Sequence, residues 1–225
     1  MGLILLLWIV RLGMTLIEKT RQFVADVLAD EPSSHEMSHI ERVESTCMLI
    51  QAEEGGDLQV IRLAALLHDV GVVKEHREGG DHAVHSAEIA HDLLMKEGLD
   101  PSVVDHVVSC ICTHRFSRGN MAGSLEGQIL QDADRIDALG AIGIFRAVMS
   151  MGALRSLKHS SGIEKSSSRN AYATDPLDGF AEYMQMKPFK IMNGLNTMAA
   201  KRIAEGRIKV MHQYVDALRS ETSYK

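Results

Sequence analysis

Apolar residues recur at intervals of three and four along most of this chain, which is the spacing of one face of an α-helix. Leu16, Phe23 and Val27 mark a first such face. Asp57 opens the run LQVIRLAALLHDVG, which is apolar nearly all round and predicts a buried central helix. No segment alternates apolar and polar residues convincingly, as a half-buried strand would. The pattern therefore predicts an all-α fold, a single-domain helical bundle.

Prolines, glycines and capping residues divide this pattern into segments. The predicted elements are a second helix capped by Ser33 or Ser34 and ending at Gly55, a loop over 74–81, a helix over 82–96, a helix with Pro101 in its first turn, and a long apolar helix over 125–151. Residues 158–175 are Ser-rich with little apolar content, and they predict a mobile loop or lid. Residues 176–225 return to helical spacing and predict one or two closing helices of the same domain.

Residues 1–13 form an apolar N-terminal extension before this pattern begins. Its apolar run, within MGLILLLWIV, is well short of the ~20 residues that a membrane helix needs. It also lacks the basic start and the small-residue cleavage site of an export signal. We therefore expect no stable membrane insertion and a segment that packs on the domain, with Met14 as an alternative natural start.

Composition indicates which binding partners and which cellular compartment are expected for the protein. The 225 residues carry a formal charge of −6, and aromatic residues make up 4%, so a basic or aromatic surface for nucleic acid is not expected. Three cysteines, Cys47, Cys110 and Cys112, include no CxxC pair. An odd count of this kind favours a reducing, cytoplasmic compartment, and we expect all three thiols in the core.

Histidines and aspartates interrupt the apolar helical segments at four places. These are His35 with His39, the pair His68-Asp69, His82 with the later His114, and the acids Asp132, Asp134 and Asp137. An ionised carboxylate is costly to bury unless it is paired or binds a metal. Two imidazoles and two carboxylates would hold a divalent ion, and mixed nitrogen and oxygen donors suit Mn, Fe, Co, Ni or Zn better than Ca or Mg.

Five stretches of the chain also carry a family resemblance. They are, in order, SHEMSHIERV, ALLHDVG, DHAVHSAEIA, THRFSRG and QDADRIDALGAIGI. Together they resemble the HD-domain superfamily of metal-dependent phosphohydrolases, in particular a soluble, stand-alone and uncharacterised branch. An isolated His-Asp pair would carry no weight, whereas five strings in the right order are specific. The resemblance implies a catalytic core over 14–157, with the metal site in the bundle core.

The resemblance also implies roles for individual residues. His39, His68, Asp69 and Asp134 would bind one divalent transition metal. His82 and His114 match positions that complete a second metal site in binuclear members, and in mononuclear members such groups help the substrate phosphate or the leaving group. We expect one tight metal and a weaker second. The residues expected at the mouth of the site, where they would meet phosphate oxygens, are His35, Arg42 and Lys74.

Other interpretations of these side chains stay open. His114 could cap helix carbonyls and His82 could be a surface residue, while Arg42 could form a surface salt bridge. Arg115, beside His114, either meets a polyphosphate tail or belongs to a solvated loop. Asp137, one turn from Asp134, could orient a ligand. Asp132 is expected to cap a helix or to face water.

The chemistry that follows is hydrolysis of a small phosphate ester or anhydride, with a nucleotide the favoured substrate, by a metal-activated water. Asp69 would ligate the metal and orient that water. His82 or His114, if protonated, would stabilise the leaving oxygen. The alternatives are an HD-fold di-iron oxygenase, which needs the whole histidine set, and a non-catalytic nucleotide-binding regulatory module. A homodimer stays open.

Overall fold

The computed structural model of the protein describes residues 14–29, 36–115, 121–160 and 176–222. Within these ranges the chain forms ten α-helices and no strand, which confirms the all-α prediction. The helices are α1 Leu16–Val27, α2 Met37–Glu54, α3 Leu58–Leu67, α4 Val72–Glu78, α5 His82–Lys96, α6 Pro101–Thr113, α7 Leu125–Asp137, α8 Gly140–Ser160, α9 Pro176–Gly194 and α10 Met198–Thr222. None of these helices carries an apolar stretch long enough to cross a membrane.

The chain divides into two compact units, residues 1–134 and 135–225. The predicted organisation, one domain with a core over 14–157 and closing helices over 176–225, stays a prediction. The extension over 1–13, the capping residues Ser33 and Ser34, and His35 lie outside the described residues. So does the predicted loop over 158–175, apart from residues 158–160, which end α8.

The centre of the first unit is α3, as the apolar run predicts. Asp57 caps its N-terminus by accepting hydrogen bonds from the backbone N–H groups of Gln59 and Val60 at 2.8 and 3.1 Å. Every residue from Leu63 to Leu67 is fully buried, and α3 packs against α1, α2 and α6. Each fully buried leucine contributes about 1.5–3 kcal/mol to folding. The end of α3 is therefore held firmly where His68 and Asp69 follow it.

The segment after α3 differs from its prediction. The helix ends at Leu67, and residues 68–71 form a turn that leads directly into α4. Residues 74–78, predicted to be a loop, belong to this short helix, which ends at Gly79 with φ +78°. The prediction was wrong because α4 is short and polar, with Val72 as its one buried residue, so its sequence shows no apolar periodicity.

The long helix predicted over 125–151 is two helices. It breaks between Asp137 and Gly140, where Gly140 adopts φ +71°, a left-handed conformation that glycine takes without strain. A Cβ at Gly140 would also lie 3.1 Å from the Cβ of Arg207. Apolar residues continue across the break, so their spacing could not reveal it.

The second unit consists of α8, α9 and α10, with the end of α7. Both α8 and α9 pack against α10. The buried side chains include Met184 and Met211, and the rings of Phe180 and Tyr214 meet edge to face with centroids 6.1 Å apart. The methionines of α9 and α10 thus include core residues.

The cysteines follow their prediction at two positions of three. Cys47 and Cys110 are buried, and burial raises the pKa of the Cys110 thiol to about 11. Cys112 is exposed, which corrects the expectation of three core thiols. It lies two residues after Cys110 on α6, and two residues rotate a helical position by roughly 200° towards the opposite face.

Candidate metal centre

Three distant segments of the first unit bring together His39, His68 and Asp134, which we call the first cluster. His39 lies in the first turn of α2, His68 directly follows α3, and Asp134 lies on α7. The Nε2 atoms of His39 and His68 are 3.3 Å apart, and His39 Nε2 is 3.5 Å from Asp134 Oδ1. One donor atom from each of the three lies within 4.8 Å of the others, and both histidines are buried.

Asp69 lies between this cluster and a second group of ligands. Its Oδ2 is 3.4 Å from His39 Nε2 and 3.3 Å from His68 Nε2. Its Oδ1 is 3.4 Å from the Nε2 atoms of both His82 and His114. We call Asp69, His82 and His114 the second cluster, and all three are buried. One carboxylate therefore presents one oxygen to each pair of histidines.

Backbone carbonyls fix the orientation of two of these rings. His68 Nδ1 lies 2.8 Å from the carbonyl of Ala65, and His114 Nδ1 lies 2.7 Å from the carbonyl of Ile111. A carbonyl only accepts, so each Nδ1 donates its hydrogen. The neutral ring then has its lone pair on Nε2, the atom that faces Asp69, and this is the form in which histidine binds a metal.

The third of these rings, His82, is held by a carboxylate that the sequence did not predict. Its Nδ1 lies 2.9 Å from Glu75 Oε2, and its backbone N–H donates to Glu75 Oε1 at 3.3 Å. Glu75 lies on α4, in the segment predicted to be a loop. The only sequence signal was an acid seven residues before a candidate ligand, which is too weak to single it out.

The pKa values of His68 and His82 are shifted in opposite directions. Burial, the largest single contribution, acts to lower the pKa of His68, but the carboxylates of Asp69 and Asp134 together outweigh it, so the net pKa lies above its ordinary value. For His82, burial is the largest contribution, and the nearby His114 and Arg115 add to it, so the pKa lies below its ordinary value although Asp69 and Glu75 act to raise it. The cost of burial thus favours the neutral, metal-binding form of His82.

A close backbone contact joins the turn after Asp69 to the start of α5. The N–H of Gly71 donates to Ser86 Oγ at 2.8 Å. A Cβ at Gly71 would lie 2.4 Å from the backbone nitrogen of Ser86 and 2.6 Å from the carbonyl oxygen of His82. Only glycine allows this approach, which places His82 beside Asp69.

Three of the residues predicted to bind phosphate lie in ion pairs or hydrogen bonds. Arg42 donates to Ser38 Oγ at 3.0 Å, and Lys74, on α4, is 3.1 Å from Glu88. Arg115 donates to Asp81 Oδ1 at 2.6 Å. Their substrate-binding roles stay predictions, as does that of His35.

The other two acids of the QDADRID segment are both buried, and for Asp132 this differs from the prediction. Asp132 is fully buried in the middle of α7, so it neither caps the helix nor faces water. The prediction was wrong because α7 is buried nearly all round at this point, from Ile129 to Ala133. Asp137 is buried and forms an ion pair with Arg146.

The donor atoms of the two clusters fit divalent transition metals. Imidazole nitrogens and carboxylate oxygens converge in a buried space, and this mixed donor set is typical of Mn, Fe, Co, Ni and Zn sites. Two of the histidines donate their far nitrogen to a carbonyl and the third faces a carboxylate, as metal-bound histidines do. The residues present therefore fit a metal centre with two adjacent positions.

Comparisons with known proteins identify similar families and relatives. A family model, the HD domain, matches residues 37–139, a range that contains all members of both clusters. YpgQ of Bacillus subtilis strain 168, an uncharacterized protein, is 32% identical over 208 residues, covering 91% of this chain and 92% of YpgQ.

Two solved structures extend this likeness to the fold. An HD-superfamily hydrolase from Bacillus thuringiensis superposes with a TM-score of 0.68 and 30% identity, covering 93% of this chain and 97% of that one. The structure of Bacillus subtilis YpgQ in complex with ADP has a TM-score of 0.65 and 28% identity, covering 91% of this chain and 94% of that one.

Proposed function

This chain belongs to the HD-domain family, and we propose that it is a metal-dependent phosphohydrolase that acts on a small nucleotide. The observation that carries the proposal is the position of Asp69, which presents one carboxylate oxygen to each of two pairs of histidines. A relative from Bacillus thuringiensis is itself an HD-superfamily hydrolase.

The two clusters would hold two divalent ions, with Asp69 contacting both. His39, His68 and Asp134 would complete the first position, and His82 and His114 the second. The sequence favoured one tight metal and a weaker second. The first position has three ligands besides Asp69 and the second has two, so we propose the same order of affinity. Nitrogen and oxygen donors favour Mn, Fe, Co, Ni or Zn, without choosing among them.

A bound divalent ion would lower the pKa of a water molecule and polarise a phosphoryl oxygen. The protein's part is to hold and orient the reactants. Asp69, fixed between four imidazoles, would accept a hydrogen bond from the attacking water and so direct its lone pair. Burial of His39, His68 and His114 excludes bulk water from this side, which strengthens every electrostatic contact there.

Cationic side chains nearby would bind the phosphate oxygens. Arg115 directly follows the buried His114, and its guanidinium contacts Asp81 at the start of α5, where His82 lies. A planar guanidinium binds phosphate oxygens in pairs. We propose that Arg115 contacts the phosphate chain of the substrate, and Arg42, Lys74 and His35 stay candidates for the same role.

A nucleotide with a phosphate chain is the proposed substrate class. YpgQ, which is similar to this chain over most of its length, has been solved in complex with ADP. A nucleoside di- or triphosphate combines the anionic groups that metals and Arg115 would bind with a phosphoanhydride bond to hydrolyse.

The test combines metal content and products on the same sample. Protein purified without chelator is analysed for metals by mass spectrometry. It is then incubated with Mn²⁺ and a panel of nucleotides, and the products are identified by ³¹P NMR. Up to two metals per chain, with release of phosphate or pyrophosphate, would support the proposal. No metal after supplementation, and no turnover of any nucleotide, would contradict it.

Matched variants connect the result to the site. His68→Ala and Asp69→Ala each remove a proposed ligand. His91→Ala and Asp92→Ala remove the same two side chains from the exposed surface of α5, where they are 51% and 87% exposed. If His68→Ala and Asp69→Ala lose metal and turnover while His91→Ala and Asp92→Ala retain them, metal binding and turnover both depend on the two clusters.

The convergence of both clusters on one carboxylate favours a second candidate, a di-iron oxygenase. That chemistry requires both metal positions, and His82 and His114 supply the second. It is distinguished in the same experiment by two irons per chain, oxygen uptake in the presence of a reductant and an organic substrate, and no phosphate release.

A further inference from the structure

Within the two clusters, His68, His82 and His114 differ in the group that holds their Nδ1 atom. Backbone carbonyls hold His68 and His114, whereas a carboxylate, Glu75, holds His82. A carbonyl is neutral and part of the helix, so substitution of side chains leaves it in place. Glu75 is a separate side chain on another helix, α4, and can be removed without changing any ligand.

Glu75 holds His82 at two points. Its Oε2 is 2.9 Å from the ring nitrogen Nδ1, and its Oε1 accepts from the backbone N–H of the same residue at 3.3 Å. The two contacts fix the ring relative to the first turn of α5. Because an ionised carboxylate only accepts, Nδ1 must carry the hydrogen, and Nε2 then presents its lone pair towards Asp69.

Arg115 restrains Glu75 in turn. Its guanidinium lies 3.7 Å from Glu75 Oε1 and donates to Asp81 Oδ1 at 2.6 Å. Glu75, Asp81 and His82 are close enough together to suggest a further metal site. The guanidinium already supplies positive charge to both carboxylates, however, so we assign this group to the support of His82.

We propose that Glu75 is a positioning residue of the second cluster: it holds His82 in the Nδ1–H form, aims Nε2 at the second metal position, and makes the ring a stronger donor through its negative charge. The proposal rests on the proposed function for the presence of a second metal. It predicts that the two metal positions respond differently to Glu75, because the first cluster has no direct contact with it among the interactions of the described residues.

The first readout is the tautomer of His82, which needs no metal. Protein labelled with ¹⁵N in its histidines is treated with chelator, and the ring nitrogens are assigned by NMR. We expect the Nδ1–H form for His82, His68 and His114 in the native chain. Glu75→Ala should shift His82 to a mixture of tautomers and leave His68 and His114 unchanged.

The second readout is Mn²⁺ binding by calorimetry and by equilibrium dialysis with metal analysis. In Glu75→Ala the weaker binding step should lose roughly 10–100-fold in affinity, and the tighter step should not change. Glu75→Gln retains a carbonyl oxygen that can accept from Nδ1, so it should restore part of the loss. Glu78→Ala, an exposed acid on the same helix, is the matched control and should behave like the native chain.

Each result decides the proposal. An Nε2–H tautomer for His82 in the native chain, or an unchanged weaker step in Glu75→Ala, would overturn it. If Glu75→Ala does not fold, Glu75→Gln decides by the same two measurements. Failure of the proposed function is distinguishable, because a native chain that binds no Mn²⁺ contradicts that function, while the tautomer experiment still determines whether Glu75 holds His82.

Discussion

Two buried carboxylates of the first unit, Glu44 and Asp69, are surrounded by different partners. Glu44 on α2 is bound by the guanidinium groups of Arg21 on α1 and Arg62 on α3, the latter at 2.9 Å. Asp69 faces four imidazole nitrogens at 3.3–3.4 Å. Guanidinium is a permanent cation, whereas imidazole is a metal ligand in its neutral form. The chain balances Glu44 with its own charges, whereas it places Asp69 among groups that can bind an exchangeable cation.

The largest effect should come from removing the acid in the metal centre. Asp69→Ala takes away a contact to both proposed ions, so nucleotide hydrolysis should fall by at least about 10³-fold, since single electrostatic contacts in active sites contribute about 10²–10³-fold. The rise in melting temperature that Mn²⁺ gives the native chain should also disappear, because that rise reflects metal binding to the folded state. Turnover and thermal unfolding with and without Mn²⁺ measure this. If Asp69→Ala retains turnover while the Asp92→Ala control behaves like the native chain, the proposed mechanism is contradicted.

The next effect separates the two clusters. His68→Ala should lose the tight metal, whereas His114→Ala should keep it and lose roughly 10²-fold in turnover. The reason is that His68 belongs to the first cluster and His114 to the second. Metal analysis and phosphate release are compared in both variants, with His91→Ala as control. Equal metal loss in the two variants would mean that the clusters are not separate positions.

A smaller effect, on stability alone, should come from Glu44. Glu44→Gln leaves two guanidinium groups without their carboxylate and should lower the free energy of unfolding by about 1–2 kcal/mol. This is less than the 3–5 kcal/mol of a fully buried pair because both arginine side chains are about a third exposed. Urea unfolding measures the loss. Metal content should not change, and a variant that lost metal would remove the distinction between the two acids.

An effect that appears only as pH changes concerns a half-buried cation in the second unit, Lys187. Burial lowers its pKa to about 8, with Arg146 adding to the shift and Asp137 opposing it. In the unfolded chain the pKa is near the ordinary 10.5, so between these values the unfolded state binds more protons and stability rises with pH. Lys187→Met should reduce this rise. Urea unfolding at pH 7.5 and pH 10 tests it, and an identical pH dependence in the variant would contradict the shift.

The sequence predicted the residues that meet at the centre better than the elements that carry them. Acids and histidines in apolar helices have few favourable environments, which directed attention to four places in the chain. The resemblance to the HD-domain superfamily then implied His39, His68, Asp69 and Asp134 among them, and the structure brings all four together. Their position in the fold depends on α3, whose buried pattern was clear.

What the sequence did not predict depends on short or local features. Glu75 lies on a seven-residue polar helix, whose pattern is that of a loop. The break before Gly140 depends on one left-handed residue inside a continuous apolar pattern. The pairing of Arg115 with Asp81 joins residues 34 positions apart, which no periodicity encodes.

The close contact at Gly71 limits where His82 can lie. Because the turn after Asp69 touches the backbone of α5, the distance between Asp69 and the first turn of α5, where His82 lies, is set by contact between two stretches of main chain. Exchanging side chains in the surrounding core can alter the strength of a ligand, but it leaves this contact between main-chain atoms in place. A single methyl group at position 71 would instead force α5 outward, and His82 with it. The position of His82 beside Asp69 therefore depends on the main chain at Gly71, and a change in the chemistry of the site would have to come from the ligand side chains and the residues that hold them.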